Sequence, residues 1–397
     1  MALHAYKPEW AFSTALRNQA ARWQRQQLLS AEQLTGIEAA YPLDYYRPVW
    51  PLRVGLFLFA LLGLSMAGGF SFMITDNSPL AAAVLHCGAC FVVLELLIKQ
   101  RRFYHAGADN ALLYTGLTMA VGIIGYVSYA YLWPVHLDQQ FTPSYTIAPL
   151  LLVLLLLLAA IVRYADALVT AAATIVTLLL AAIISIHIPF GLDLLPFLMM
   201  GAAWALLVLH RSLGRRLAGT RLADYYASCL LMLKVLGLTV LYLSGNYLVV
   251  REGNAELHSL PVSEQVPFAL LFYAFTAGIP LLYIGLGLRR ADRLTLLLGL
   301  LALAFSLFTL RHYRSLLPPE VAAVVAGTVL TVAAGLLLRA LRPARFGLTS
   351  LPDDEPRHFN LENLIQAQTA HAPAAPAGGG FEFGGGQSGG GGATGNF

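Results

Sequence analysis

Charge is scarce in this 397-residue chain: Asp, Glu, Lys and Arg together make up only 12% of it, against 58% hydrophobic residues. Soluble domains carry about 25% charged residues, so a string of water-exposed globular domains is excluded by composition. Cysteine is rarer still. The three residues, Cys87, Cys90 and Cys229, all fall inside apolar runs and give no disulfide framework. The sequence has no G-x-x-x-x-G-K-[ST] phosphate loop, no H-E-x-x-H zinc helix and no Ser/His/Asp set at one depth. These absences lead us to expect neither an enzyme nor a resident cofactor. The net charge of +4 sits mostly beside the apolar runs, which points to anionic lipid rather than nucleic acid as the partner.

What is abundant is apolar sequence. Ten runs stand out, at approximately 54–74, 79–98, 111–132, 145–162, 168–187, 192–210, 227–248, 266–288, 294–310 and 320–341. About 20 apolar residues suffice to cross the hydrocarbon of a bilayer. Only helices and closed barrels satisfy their backbone there, and uninterrupted runs of this length mean helices. The fold class predicted is therefore all-α: a polytopic integral membrane protein with about ten transmembrane helices. The first run begins near Val54, after a polar segment too long for a secretory signal, and should stay as an anchor.

Basic residues orient the bundle. The N-terminal segment carries Lys7, Arg17, Arg22, Arg25, Arg47 and Arg53, and alternate connections carry Lys99, Arg101, Arg102, Arg163, the 211–221 arginines, Arg289, Arg290 and Arg293. The C-terminal segment adds Arg339, Arg342, Arg345 and Arg357, whereas the opposite side has only Arg251, Arg311 and Arg314. Because the Lys/Arg excess marks the cytoplasmic side, both termini are predicted to be cytoplasmic. Three regions follow: a cytoplasmic helical module over 1–53, a ten-helix membrane domain over 54–341, and a cytoplasmic tail over 342–397. Two longer external connections, 133–144 and 249–265, are too short for a folded domain. Tyr129, Tyr131, Trp133, Tyr225, Tyr226 and Tyr247 fall near span ends, where interfacial aromatics belong.

In the N-terminal module, Pro8 suits a first helical position, and Phe12, Ala15, Leu16, Ala20 and Trp23 recur at helical spacing. This helix either lies on the membrane surface, flanked by Arg17, Arg22 and Arg25, or packs in a hairpin. Ser30 and Gln33 form a capping-box pattern that starts a second helix, which should stop before Pro42. In the tail, 358–369 reads as a short amphipathic helix. From Gly378 onward 11 of 20 residues are glycine, so disorder is predicted from about 370. Phe381, Phe383 and Phe397 are either contact points for a partner or incidental to a flexible tail.

The segment Trp23-Gln-Arg-Gln-Gln-Leu-Leu-Ser-Ala-Glu-Gln33, followed by Ile37, Tyr41 and the first span, resembles the start of a bacterial family of predicted membrane proteins, domain of unknown function 2157. The resemblance covers about thirty residues and extends to the rest only as multi-span architecture. It implies a bacterial inner-membrane protein and brings no catalytic residues with it.

Ionisable groups inside a bilayer are costly, by about 2.5–3.5 kcal/mol at a helix centre, so each needs a reason. Lys234 lies inside the seventh run and Glu95 near the cytoplasmic end of the second, where the two could pair. Glu95 also has Lys99 at i+4. Both residues fit either a structural ion pair or a proton or substrate site. The eighth run contains Thr276-Ala-Gly278-Ile-Pro280, and Pro280 predicts a kink there. Tyr273 and Tyr283 flank it and would line a transport cavity if one opens at the kink; the plainer reading is a packed, kinked helix. His86, Cys87 and Cys90 sit near mid-depth in the second run, with His86 and Cys90 on one helix face. They suit either a metal or close packing of small residues.

Two functions remain in play. The leading one is a membrane binding or scaffolding protein whose N-terminal module and tail engage protein partners. The alternative is a small-molecule transporter with a cavity at the Pro280 kink. The topology has a direct test: a reporter fused after Phe397 should be active only in its cytoplasmic form, and an external C-terminus would break the ten-span parity.

Overall fold

The computed structural model describes residues 3–132 and 143–313, together with scattered positions between 321 and 339. Among the described residues the fold is all-helical, the only extended pairing being a single bridge between Tyr46 and Phe103. Two short helices come first, α1 (Pro8–Arg25) and α2 (Ala31–Ala40). Next come α3 (Trp50–Ile74), α4 (Pro79–Arg101) and α5 (Ala108–Val127), the last continued by a π turn over Ser128–Leu132. After them run α6 (Pro143–Tyr164), α7 (Ala167–Ile186), α8 (Gly191–Leu217) and the one-turn α9 (Leu222–Tyr225). The described chain closes with α10 (Ala227–Gly245), α11 (Tyr247–Leu257), α12 (Ala269–Arg289) and α13 (Arg293–Tyr313).

Nine of these helices are long and apolar enough to cross a membrane: α3 to α8, α10, α12 and α13. They coincide with the first nine predicted runs. The 133–142 connection, most of the tenth run and the whole tail lie outside the described residues.

Local chemistry sets the helix ends. Ser30 accepts the Gln33 N–H at 3.2 Å while the Gln33 side chain accepts the Ser30 N–H at 2.9 Å, so the predicted capping box is formed. Prolines open α1, α3 and α4, where their missing N–H costs nothing. Asp166 caps α7 by accepting the N–H groups of Leu168 and Val169 at 2.9 and 3.0 Å.

Two expectations need correction. The α1 residues that bury themselves are Trp10, Ala11 and Ala20, while Trp23 is exposed and Phe12 packs on Tyr41. This helix does not pack on α2 alone. It docks on the end of the bundle, where Tyr6 and Trp10 enter one core with Leu94, Leu113, Tyr164 and Cys229. The 249–265 connection is not simply a loop, because α11 occupies Tyr247–Leu257. Asn246 stops α10 and restarts the helix by accepting the N–H of Leu248 at 3.0 Å. Tyr247 is consequently 2% exposed and stacks on Tyr273, rather than facing an interface.

Helix α10 is the common element of the packing. Its Cys229 belongs to the core with α4 to α7, Leu233 packs with α7 and α8, and Leu238 and Tyr242 pack with α8, α12 and α13. Close approach relies on small residues: a Cβ on Gly299 would lie 2.9 Å from the Ile284 nitrogen of the neighbouring helix. Gly107 is more constrained. It has φ +106°, and a Cβ there would sit 2.2 Å from the Arg53 carbonyl oxygen. Gly107→Ala should therefore cost about 2 kcal/mol or more, seen as a lower melting temperature of the detergent-solubilised protein; an unchanged melting temperature would contradict this packing.

Candidate functional site

The predicted polar residues do not come together as one site. Glu95 accepts from Arg163 at 2.6 and 2.8 Å and from the Tyr164 hydroxyl at 3.0 Å, with Lys99 at 3.4 Å. Lys234 pairs instead with Asp292, in the turn between α12 and α13, so the Lys234–Glu95 pairing does not form. The reason is reach: the lysine extends from α10 toward the bundle end, where Asp292 waits outside the apolar run. Asp292 is held further by Thr295, whose hydroxyl donates to it at 2.7 Å. Burial disfavours its ionisation, but the bonds from Lys234 and Thr295 outweigh burial and hold its pKa below the usual carboxylate range.

The Pro280 region is packed. Thr276 and Pro280 are fully buried and Tyr283 is 2% exposed, with its hydroxyl donating to the Leu238 carbonyl at 2.9 Å. The Ser306 hydroxyl on α13 donates at 2.5 Å to the Thr276 carbonyl, four residues before the proline, so the acceptor that Pro280 deprives of its usual donor is satisfied by the neighbouring helix. The Thr276 hydroxyl accepts the Tyr247 N–H at 2.9 Å. Asn246 completes the network by donating to the hydroxyls of Tyr242 and Thr309 at 2.9 and 3.1 Å. Two cavities lined by described residues include neither Thr276, Pro280, Tyr273 nor Tyr283.

His86 is 4% exposed and Cys90 is 2% exposed, while Cys87 is half-buried. Among the described residues no group of three or more His, Cys, Asp or Glu side chains is placed to hold a metal ion. A Cβ on Gly116 of α5 would lie 3.3 Å from the Cys90 Cβ, which is the close helix contact that small residues serve.

The densest polar cluster was not anticipated from sequence. It lies where the N-terminal segment meets the bundle, at the end we call the basic face. The Tyr6 hydroxyl donates to Asp109 at 2.8 Å, and Asp109, fully buried, also accepts the N–H groups of Ala106 and Gly107 at 2.9 and 3.0 Å. Asp166 accepts from Tyr114 at 2.9 Å and Asn110 at 3.2 Å besides capping α7. Ala5 donates its N–H to the Arg163 carbonyl at 2.8 Å, and Arg221 pairs with Glu9 at 3.1 Å. Burial, reinforced by the Asp109 charge, raises the Tyr6 pKa well above its ordinary value. Burial raises Tyr104 to about 12. It also lowers His105, against the opposing charges of Asp109 and Asp166. At neutral pH Tyr6, Tyr104 and His105 are thus uncharged. The sequence hint was an Asp at the start of each of two apolar runs, a helix-cap position.

Two cavities lined by described residues flank the bundle. One, of about 160 Å³, lies between the N-terminal turns of α8, α11 and the start of α12, lined by Asp193, Pro196, Ser244, Asn254, Val266 and Phe272 among others. The second, of about 240 Å³, is on the basic face between the N-terminal segment and the end of α4.

Long apolar helices, packed through small residues and internally satisfied polar groups, define a polytopic α-helical membrane protein. Comparison narrows it no further: no family model, curated protein or solved structure matches the chain.

The Lys234–Asp292 pair generates an asymmetric prediction. Asp292→Asn strands the lysine in apolar surroundings and should cost about 1–2 kcal/mol, reduced from a fully buried pair because both side chains are partly exposed. Lys234→Met should cost less, since Thr295 still serves Asp292. Because the folded-state pKa of Asp292 is depressed, its contribution is complete above the ordinary carboxylate value and disappears as pH falls through the depressed one. Melting temperatures of wild type and Asp292→Asn in detergent should differ at neutral pH and converge in acid.

Proposed function

We propose that this chain is a multi-pass protein of the bacterial inner membrane that acts as a binding or scaffolding protein through its cytoplasmic side. The observation that carries this reading is the way the N-terminal segment is built into the bundle. Tyr6, Trp10 and Ala11 are as buried as the helices they meet, and Tyr6 reaches Asp109, which is fully buried. Ordering an N-terminal segment costs about 1–2 kcal/mol per residue in backbone entropy. Here that ordering fixes a basic, aromatic-rich surface at one end of the bundle. In the topology set by the Lys/Arg asymmetry, that end is cytoplasmic. The module from Trp23 to Gln33 supports placing the chain beside the domain of unknown function 2157 family.

A transporter is the second reading. It is favoured by the cavity of about 160 Å³ beside Asp193 and Asn254, at the other end of the bundle. It draws no support from the Pro280 region, whose polar groups already have partners within the protein.

Deleting residues 358–397 separates the two readings. The shortened protein should still insert, keep its melting temperature and lose the phenotype of the wild-type gene when tested in a null strain. Asp193→Asn, in the same strain, should retain the phenotype. Full activity without the tail together with loss in Asp193→Asn would favour transport.

A further inference from the structure

The cavity on the basic face has a composition that the scaffolding reading does not by itself require. It is lined by Ala5, Lys7, Trp10, Ile98, Lys99 and Arg102: three cations and no acid. Two of the cations have acidic neighbours. Lys99 stands 3.4 Å from one oxygen of Glu95, whose other oxygen accepts from Arg163 at 2.6 Å and from the Tyr164 hydroxyl. Arg102 stands 3.4 Å from Asp44. Lys7 has no carboxylate partner among the described residues; its ammonium lies 5.8 Å from the centre of the Trp10 ring. Positive charge therefore exceeds negative charge around the cavity.

The backbone holds these groups in place. Arg102 ends α4 in the left-handed conformation, φ +53°, an uncommon state for a residue with a side chain. The chain at 46 clamps it there: Tyr46 donates its N–H to the Arg102 carbonyl at 2.9 Å and accepts the Tyr104 N–H at 3.1 Å. Lys7 is likewise placed by its neighbours, between Ala5, tied to Arg163, and the buried Trp10.

We propose that Lys7, Lys99 and Arg102 form a binding site for a phosphate-bearing anion. At about 240 Å³ the space falls below the roughly 300 Å³ at which pockets for drug-sized ligands begin. It suits a phosphate with a few attached atoms and is too small for a nucleotide. Arg and Lys donate charge-assisted bonds to phosphate oxygens. The site stands at the end of a membrane-length helix, so the phosphate belongs either to a glycerophospholipid headgroup or to a small soluble phosphoester. The inference rests on the reading of this face as the acting surface.

The test uses the full chain in nanodiscs. In one arm the discs are phosphatidylcholine with or without phosphatidylglycerol, and bound lipid is read by native mass spectrometry. In the other, glycerol 3-phosphate is titrated onto protein in phosphatidylcholine discs. Saturable binding in either arm supports the site, and the arm that shows it names the source. Lys7→Gln combined with Arg102→Gln should weaken that binding about tenfold or more. Arg215→Gln with Arg216→Gln, basic residues at the exposed end of α8, should leave it unchanged. Melting temperatures check that each variant is folded, and Lys99→Gln serves where the double variant fails to fold. The proposal is overturned by no saturable binding in either arm, or by equal weakening in the α8 variant, which would reduce the effect to general attraction between basic protein and anionic lipid. Failure here with the tail-deletion phenotype intact would remove the phosphate site and leave the scaffolding reading standing.

Discussion

Within an apolar slab no water is at hand to satisfy a polar group, and that constraint shapes each irregularity of this bundle. Pro280 lies inside α12 without an N–H to donate, and the hydroxyl of Ser306 on α13 replaces the missing donor to the Thr276 carbonyl. Asn246 separates α10 from α11, and its amide is consumed by the N–H of Leu248 on one side and by Tyr242 and Thr309 on the other. Each site binds two or three helices together. Individual hydrogen bonds between membrane helices average only about 0.6 kcal/mol, so the gain is in specificity of packing as much as in stability. A hydroxyl or amide in this setting sets the register of its neighbours.

The same constraint bears on function. A transport path needs polar groups with unused capacity facing an open space, and the network around Thr276 and Asn246 spends its capacity internally. Buried nitrogens of Trp10, Arg53, His210 and Arg251 keep no partner within the protein, and Lys7, on the basic face, has no carboxylate partner among the described residues. At that face the N-terminal helices, the end of α4 and the α6–α7 turn meet, with Asp109 and Asp166 as the buried anchors.

The membrane helices were legible because runs of about 20 apolar residues have few alternatives in lipid. Their ends were less so. Helix α3 starts at Trp50, taking Arg53 into its first turns, and α8 runs on to Leu217 through Arg211, Arg215 and Arg216, because a helix leaving the slab has no reason to stop where hydropathy falls. The partners of charged residues were the least legible. Lys234 stands out in sequence as a charge in an apolar run, but Asp292 lies in a turn of no evident distinction and is 58 residues away in sequence. Glu95 pointed locally to Lys99, whereas Arg163 at 2.6 Å is its nearer partner. Asn246 and Asp109 look in sequence like ordinary polar residues at the margins of apolar runs. What they hold together is decided by tertiary packing, which no local pattern encodes.

The end of α6 depends on residues that come much later in the chain. The Val162 carbonyl accepts from the Tyr226 hydroxyl at 2.8 Å, the Arg163 carbonyl from Tyr225 at 2.6 Å, and the Ala165 carbonyl from Ser228 at 3.4 Å. Helices leave their final carbonyls unpaired by their own geometry. During synthesis, therefore, the first half of the bundle carries an open seam until some sixty further residues have been made. Any product that stops before Tyr225 leaves the Val162 and Ala165 carbonyls without these donors and exposes the core surface that Cys229 would cover. The order of the chain thus distinguishes a finished molecule from an unfinished one, and it does so in the half that is made first.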